Sequence, residues 1–148
     1  MTDNSSLQAY LNKLHGITSD EQVKKVKQHK KGKRTAKERI DDLVDPGSWT
    51  EFQQFATGHQ DGEELLNDGV LTGVGTIYGV KVCIFAQDFT VAGGSLGEIH
   101  AKKIAWLMDL AVDMKAPIIG LNDSGGARIQ EGIAALEGYG SIFHRNAI

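Results

Sequence analysis

The chain has 148 residues and a formal charge of −3, the size of one ordinary domain with a moderate core. Its 18 glycines are about 12% of the residues, against about 7% in average proteins, and most fall between Gly69 and Gly140. The single cysteine, Cys83, excludes an internal disulfide and a cysteine-rich zinc site, and no apolar run is long enough to cross a bilayer.

The first third is polar and highly charged. Leu7, Tyr10, Leu11 and Leu14 recur at helical spacing. Ser19 or Asp20 can cap a second helix, which Gly32 interrupts and which resumes from Thr35 to Val44. Asp45-Pro-Gly47 closes it as a turn. Residues 1–46 are thus expected to form a helical N-terminal extension, and residues 47–148 the first part of an α/β domain.

From Trp49 the composition changes. Trp49 to Phe52 reads as a short strand, and His59 to Asn67 as a loop. Gly69 to Tyr78 and Val80 to Gln87 read as two strands joined at Gly79, with Cys83 a small buried residue inside the second. Thr90 to Gly97 is a glycine-rich loop. Ile99, Ile104, Leu107, Met108 and Ala111 mark a helix over Glu98 to Met114, with Trp106 and Met108 in its core. Pro117 to Leu121 is a short buried strand, and Ile129 to Asn146 a helix that offers Ile133, Leu136, Ile142 and Phe143 for burial. The order strand, strand, helix, strand, helix predicts layered α/β architecture. No strand follows the last helix, so the chain is expected to be the first part of a longer protein.

The turn Asn122-Asp-Ser-Gly-Gly-Ala-Arg-Ile-Gln-Glu-Gly132 lies between that last strand and helix. Small residues there let another molecule approach the backbone, and outward N–H groups at a helix start favour negative charge. Such a turn can hold charge developing on an oxygen, or it can simply be a tight connection that uses glycine for its dihedrals.

The basic run Lys24-Lys-Val-Lys-Gln-His-Lys-Lys-Gly-Lys-Arg34, continued by Lys37 and Arg39, suits a polyanion, the phosphates of a nucleotide-like cofactor, or a solvated helix face. No aromatic residue interleaves with it, which argues against nucleic acid. Gly93-Gly94-Ser95-Leu96-Gly97 lacks the Lys-Ser/Thr of a P-loop and the spacing of a dinucleotide fingerprint. The five histidines form no H-E-x-x-H pair, so no metal is expected. Ser124 is not in a G-x-S-x-G elbow and has no histidine placed to serve it. Asp88, Glu98 and Glu131 can serve as acids or bases, although on helix and loop surfaces carboxylates are usually solvated.

Several long motifs, in order, resemble the biotin-dependent acyl-CoA carboxyltransferases. They are Gly32-Lys-Arg-Thr-Ala-Lys-Glu-Arg-Ile40 with Leu43-Val-Asp-Pro-Gly-Ser48, Asp68-Gly-Val-Leu-Thr-Gly-Val-Gly-Thr-Ile-Tyr-Gly79, Ala86-Gln-Asp-Phe-Thr-Val-Ala-Gly-Gly-Ser-Leu-Gly97, and the turn through Glu137-Gly-Tyr-Gly140. The family includes the propionyl-CoA carboxylase beta subunit, transcarboxylase and the methylmalonyl-CoA decarboxylase alpha subunit. The resemblance implies an incomplete crotonase-like (ClpP/crotonase) α/β domain that binds a CoA thioester.

By the same resemblance, carboxylate moves from carboxybiotin to the α-carbon of a short acyl-CoA such as propionyl-CoA or acetyl-CoA. The chemistry demands N–H donors for an enolate oxygen. Ser124-Gly125-Gly126-Ala127 fits the family's donor turn, which assigns a donor to the Ala127 amide, with Gly126 as the neighbouring possibility. Gly125, Arg128, Gly93 and Gly94 are the expected substrate-binding residues beside it, and Lys33 and Arg34 the expected contacts to the CoA phosphates. Biotin is expected on a separate carrier protein or domain. The implied partners are acyl-CoA, the biotin carboxyl carrier and biotin carboxylase components, and further copies of the subunit. No nucleic acid and no direct membrane insertion are expected, and with neither a signal peptide nor a bilayer-crossing run visible a cytoplasmic location is the default expectation. A sodium-pumping decarboxylase alpha subunit, a crotonase-like hydratase or isomerase, and a non-catalytic fragment are the alternatives. The chain by itself is expected to turn nothing over.

Overall fold

The computed structural model describes residues 4–147, the side chains of residues 4 and 17–20 excepted. The chain divides into two compact units, one ending at Arg34 and one beginning at Thr35. The first is built on a single helix, α1 (Asn4–His29), so the two expected helices are one. Leu7, Tyr10, Leu11, Val23 and Val26 stand exposed along it. Helix α1 ends where Gly32 adopts a left-handed φ of 69°, and Gly32 N–H donates to His29 O.

The second unit opens on α2 (Ala36–Leu43). Thr35 caps it with a reciprocal pair: Glu38 N–H donates to Thr35 Oγ1, and Thr35 N–H donates to the Glu38 carboxylate. The apolar side of α2 is narrow. Ala36, Ile40 and Val44 pack on Val82, Ile84 and Ala86 of the sheet. The boundary expected after residue 46 therefore lies near Arg34, because Ile40 is fully buried in the core of the second unit.

The main sheet runs β1-β4-β5-β6, formed by β1 (Thr50–Phe52), β4 (Val70–Ile77), β5 (Val80–Gln87) and β6 (Ile118–Leu121). β1 and β5 flank β4 antiparallel, and β6 lies parallel to β5. The β4–β5 turn is Tyr78-Gly79, both at positive φ. Asp45 accepts from Tyr78 N–H, Gly79 N–H and Thr76 Oγ1, which fastens the end of α2 to this turn.

β5 is covered on both faces. Val82, Ile84 and Ala86 meet α2, while Cys83 meets Leu107 and Ala111 of α3 (Glu98–Met114), the crossover helix to β6. The segment expected as a loop after His59 contains a second, separate hairpin, β2 (Thr57–Gln60) and β3 (Glu63–Leu66). Its turn is Asp61-Gly62, again with both residues at positive φ.

The last helix, α4 (Ile133–Ala147), begins after a short 3-10 turn at Ile129–Glu131. Gly132, at φ 54° and ψ −121°, breaks the continuous helix expected from Ile129. α4 packs on α3 through small residues. A side-chain carbon added at Gly138 would overlap the Ala101 methyl, and Ala135 is fully buried. Tyr139 and Ile142 join the core, whereas Ile133, Leu136 and Phe143 are exposed, contrary to the expected burial.

Gly138→Val should therefore overpack the α3–α4 contact and cost about 1–3 kcal/mol. Gly140→Ala, in open space on the same helix, should instead stabilise by up to about 1 kcal/mol. Urea denaturation of both variants checks the contrast.

Candidate functional site

Because β5 and β6 are parallel, their C-terminal ends open on the same edge of the sheet. Each feeds a glycine-rich segment toward a helix: residues 88–97 lead into α3, and residues 122–132 into α4. Arg39 of α2 clamps the two strand ends, donating to Gln87 O at 2.5 Å and to Leu121 O at 3.1 Å. It therefore belongs to the scaffold rather than to a solvated basic run.

The two loops join directly. Leu96 N–H donates to Gly126 O at 2.9 Å, and Arg128 N–H donates to Leu96 O at 2.9 Å. Gly125 N–H donates to Gly93 O at 3.0 Å. Gly94 sits at φ 64° where a side chain would strike the Asp123 carbonyl. Glycine is needed there for both conformation and closeness. Gly126, at φ 108°, gives its N–H to Ser124 Oγ at 3.0 Å. Ser124 is thus a turn-forming residue here.

Ala127 lies between the two residues bonded to Leu96. A trans peptide points its C=O and N–H in opposite directions. Gly126 O faces Leu96, so Ala127 N–H faces away from it, and it has no hydrogen-bond partner among the described residues. The structure therefore brings Gly93, Gly94, Gly125, Gly126 and Ala127 together. Lys33 and Arg34 belong to the first unit, where both are exposed.

Arg128, expected beside the substrate, is instead an internal residue. Its side chain is fully enclosed and faces inward, not toward a ligand. The guanidinium donates to Asp68 Oδ1 at 2.5 Å, Glu131 Oε1 at 2.8 Å, Ser95 O at 2.8 Å and Ser95 Oγ at 3.3 Å. Glu131, expected to be solvated, holds this guanidinium and accepts from Glu98 N–H at 2.5 Å. Asp88 accepts from Thr90 N–H and Oγ1 and shapes the first loop.

Asp68, itself fully buried, continues the network. Its Oδ2 accepts from His100 N–H at 2.7 Å, and its backbone oxygen lies 2.9 Å from His100 Nδ1. That contact makes Nδ1 the protonated nitrogen, leaving Nε2 to accept from Gln87 Nε2 at 3.2 Å. Gln87 Oε1 then accepts from Asp123 N–H at 3.2 Å, at the start of the turn.

Burial pushes the Asp68 carboxyl up, against the pull of Arg128. Burial drives His100 down to about 3, so it is neutral near pH 7 and both its ring nitrogens are engaged. It is thereby unsuited to act as a base for Ser124. Lys103, also buried, is lowered to about 8 by desolvation, with Glu51 and Asp68 opposing. Its ammonium donates to Asn67 O, Asn67 Oδ1 and Val70 O, which braces the strand entry beside Asp68.

Asp68, Gln87 and His100 belong to no motif that marks them in the sequence as network residues. A usable signal existed for one of them: His100 shares the buried stripe of α3 with Ile104, Leu107 and Ala111. Among the described residues there is no cluster of three or more metal-ligating side chains, and no helix long and apolar enough to cross a membrane.

The layered α/β architecture, with paired glycine loops at the end of a mixed sheet, is shared with solved carboxyltransferases and is the crotonase-like fold. Residues 27–148 match the carboxyl transferase domain, and the chain belongs to that family. It is 57% identical over 125 residues to the propionyl-CoA carboxylase beta chain of Cereibacter sphaeroides, covering 80% of this chain and 24% of that protein. It is 55% identical over 125 residues to methylmalonyl-CoA decarboxylase subunit alpha of Veillonella parvula, covering 81% of this chain and 25% of that protein. A crystal structure of transcarboxylase 12S, a hexamer with methylmalonyl-coenzyme A bound, superposes with a TM-score of 0.82 at 40% identity, over 90% of this chain and 28% of that one. The chain thus spans about a quarter of the length of the relatives it matches.

The buried imidazole predicts a pH dependence. Between pH 6.5 and about 3 the unfolded chain holds a proton on His100 that the folded chain lacks. Its contribution is complete above pH 6.5 and is lost as the pH falls through that window. Asp68, with its pKa raised, works in the opposite direction, so the informative quantity is a difference. His100→Gln should lessen the acid sensitivity, read from urea midpoints of protein and variant at several pH values across the window. Parallel curves would contradict it.

Proposed function

We propose that this chain supplies the acyl-CoA side of a biotin-dependent carboxyltransferase acting on a short acyl-CoA, with propionyl-CoA or methylmalonyl-CoA as the natural candidates. The observation that carries this reading is the unpartnered Ala127 N–H at the joined loops. Family membership and the relatives named for propionyl-CoA and methylmalonyl-CoA support the substrate class. So does the methylmalonyl-coenzyme A bound in the transcarboxylase structure.

In this reading the thioester carbonyl docks with its oxygen toward Ala127 N–H. As the α-carbon gains or loses carboxylate, charge collects on that oxygen, and a donor already aimed at it stabilises the enolate without reorganising. Gly126 N–H is already engaged by Ser124 Oγ, so Ala127 is the better of the two assigned donors. Gly93, Gly94 and Gly125 keep side chains away from the approach. Biotin, on its separate carrier, supplies or accepts the carboxylate when bound. The turn fits a thioester oxygen, and no residue of this chain is assigned to the biotin ring. Lys33 and Arg34 are the candidates for the CoA phosphates. A carrier protein, a biotin carboxylase and further copies of the subunit are the proposed partners. The decarboxylase relative supports a second version, in which the same donor serves carboxylate removal from methylmalonyl-CoA.

The test is carboxyl transfer between methylmalonyl-CoA and free biotin, measured in the complete enzyme that carries this chain. Ala127→Pro, which removes the N–H, should lower kcat about 100- to 1,000-fold. Absence of any biotin-dependent change in methylmalonyl-CoA or malonyl-CoA would reject the function.

A further inference from the structure

We propose that the buried Asp68–Arg128 ion pair is a positioning device that sets the direction of the Ala127 N–H; this rests on the reading of Ala127 as the donor to the thioester oxygen. The chain of contacts is short. Ala127 N–H belongs to the Gly126–Ala127 peptide, whose orientation is set by the bond from Leu96 N–H to Gly126 O. Leu96 follows Ser95, and Ser95 is held at both its carbonyl and its hydroxyl by the Arg128 guanidinium. Arg128 in turn follows Ala127, and its own N–H closes the second bond to Leu96. One guanidinium thus secures the donor's peptide from both loops.

Asp68 and Glu131 fix that guanidinium in place. Asp68 comes from the short 3-10 turn between β3 and β4, so the pair references the turn to a third, distant part of the chain. Space has been cleared for it. A side-chain carbon at Gly97 would overlap the Arg128 guanidinium and Glu131, and one at Gly58 would overlap the Asp68 carboxylate. A pair that served only to fill the core could be replaced by apolar groups at little cost. Here every donor on the guanidinium that finds a partner ends on a loop atom or on a carboxylate that anchors it.

The experiment is a double-mutant cycle in the complete enzyme, using acyl-CoA turnover with free biotin. A 1 Å misplacement of a reacting group costs about 100-fold. Asp68→Asn should accordingly lower kcat by about 10- to 100-fold while KM for acyl-CoA changes by less than about 3-fold. Combined with Ala127→Pro, Asp68→Asn should cost nothing further, since its effect runs through the missing N–H. If Asp68→Asn fails to fold, Glu131→Gln reads the same quantities more mildly, with an expected kcat loss of about 3- to 10-fold. Losses that add in the double variant, or a lowered thermal midpoint with unchanged kcat, would overturn the positioning role and leave the donor assignment standing. Full activity in Ala127→Pro alone would overturn the donor assignment and the positioning role together.

Discussion

A buried carboxylate and a buried guanidinium are tolerable only when each answers the other and the remaining polar atoms are satisfied. Asp68 and Arg128 meet that requirement with partners drawn from several separate segments. The aspartate takes His100 N–H, and the arginine takes Glu131 and both oxygens of Ser95. Satisfying the pair thereby dictates where the 3-10 turn before β4, the loop before α3 and the turn after β6 stand. Much of the site's geometry follows from that requirement.

The sheet makes the arrangement possible. Parallel pairing of β5 with β6 places two loop openings side by side, and α3 is the crossover that parallel pairing demands. β5 is central and covered on both faces, so its end is a rigid point of departure. Arg39 adds a second tie between the ends of β5 and β6 from the α2 side. The turn is therefore braced from both layers: by Arg39 through strand carbonyls and by Arg128 through the loops.

Legibility followed the range of the interactions. Helix α3 and the β4–β5 hairpin were read nearly to the residue, because periodicity and Gly79 are local signals. The start of α2 at Thr35 was local as well, yet its place in the fold was not. Lys37, Glu38, Arg39, Asp41 and Asp42 make it look like a solvated helix, while Ala36, Ile40 and Val44 tie it to the core. The β2–β3 hairpin carries a turn signal in Asp61-Gly62, but Glu63 and Glu64 blur the strand alternation beside it. The glycine turn was recognisable from composition. The duty of Arg128 was not, since its partner Asp68 lies 60 residues earlier and reads in isolation as an ordinary loop acid.

The same network explains why polar groups occupy space that leucine or methionine could fill. An apolar plug would bury area without direction, because hydrophobic contact does not fix orientation. Hydrogen bonds do, and those made by Arg128, His100 and Gln87 end on backbone atoms beside the glycine loops: Ser95 O, Asp68 O and Asp123 N–H. Glycine-rich segments have the most conformational freedom to lose, so they most need such external reference points. Where the same segments must keep one N–H free and aimed, the reference points also determine what the turn can do. In the proposed site, stability and function meet in the atoms of one ion pair, with the glycines supplying room and the charges supplying direction.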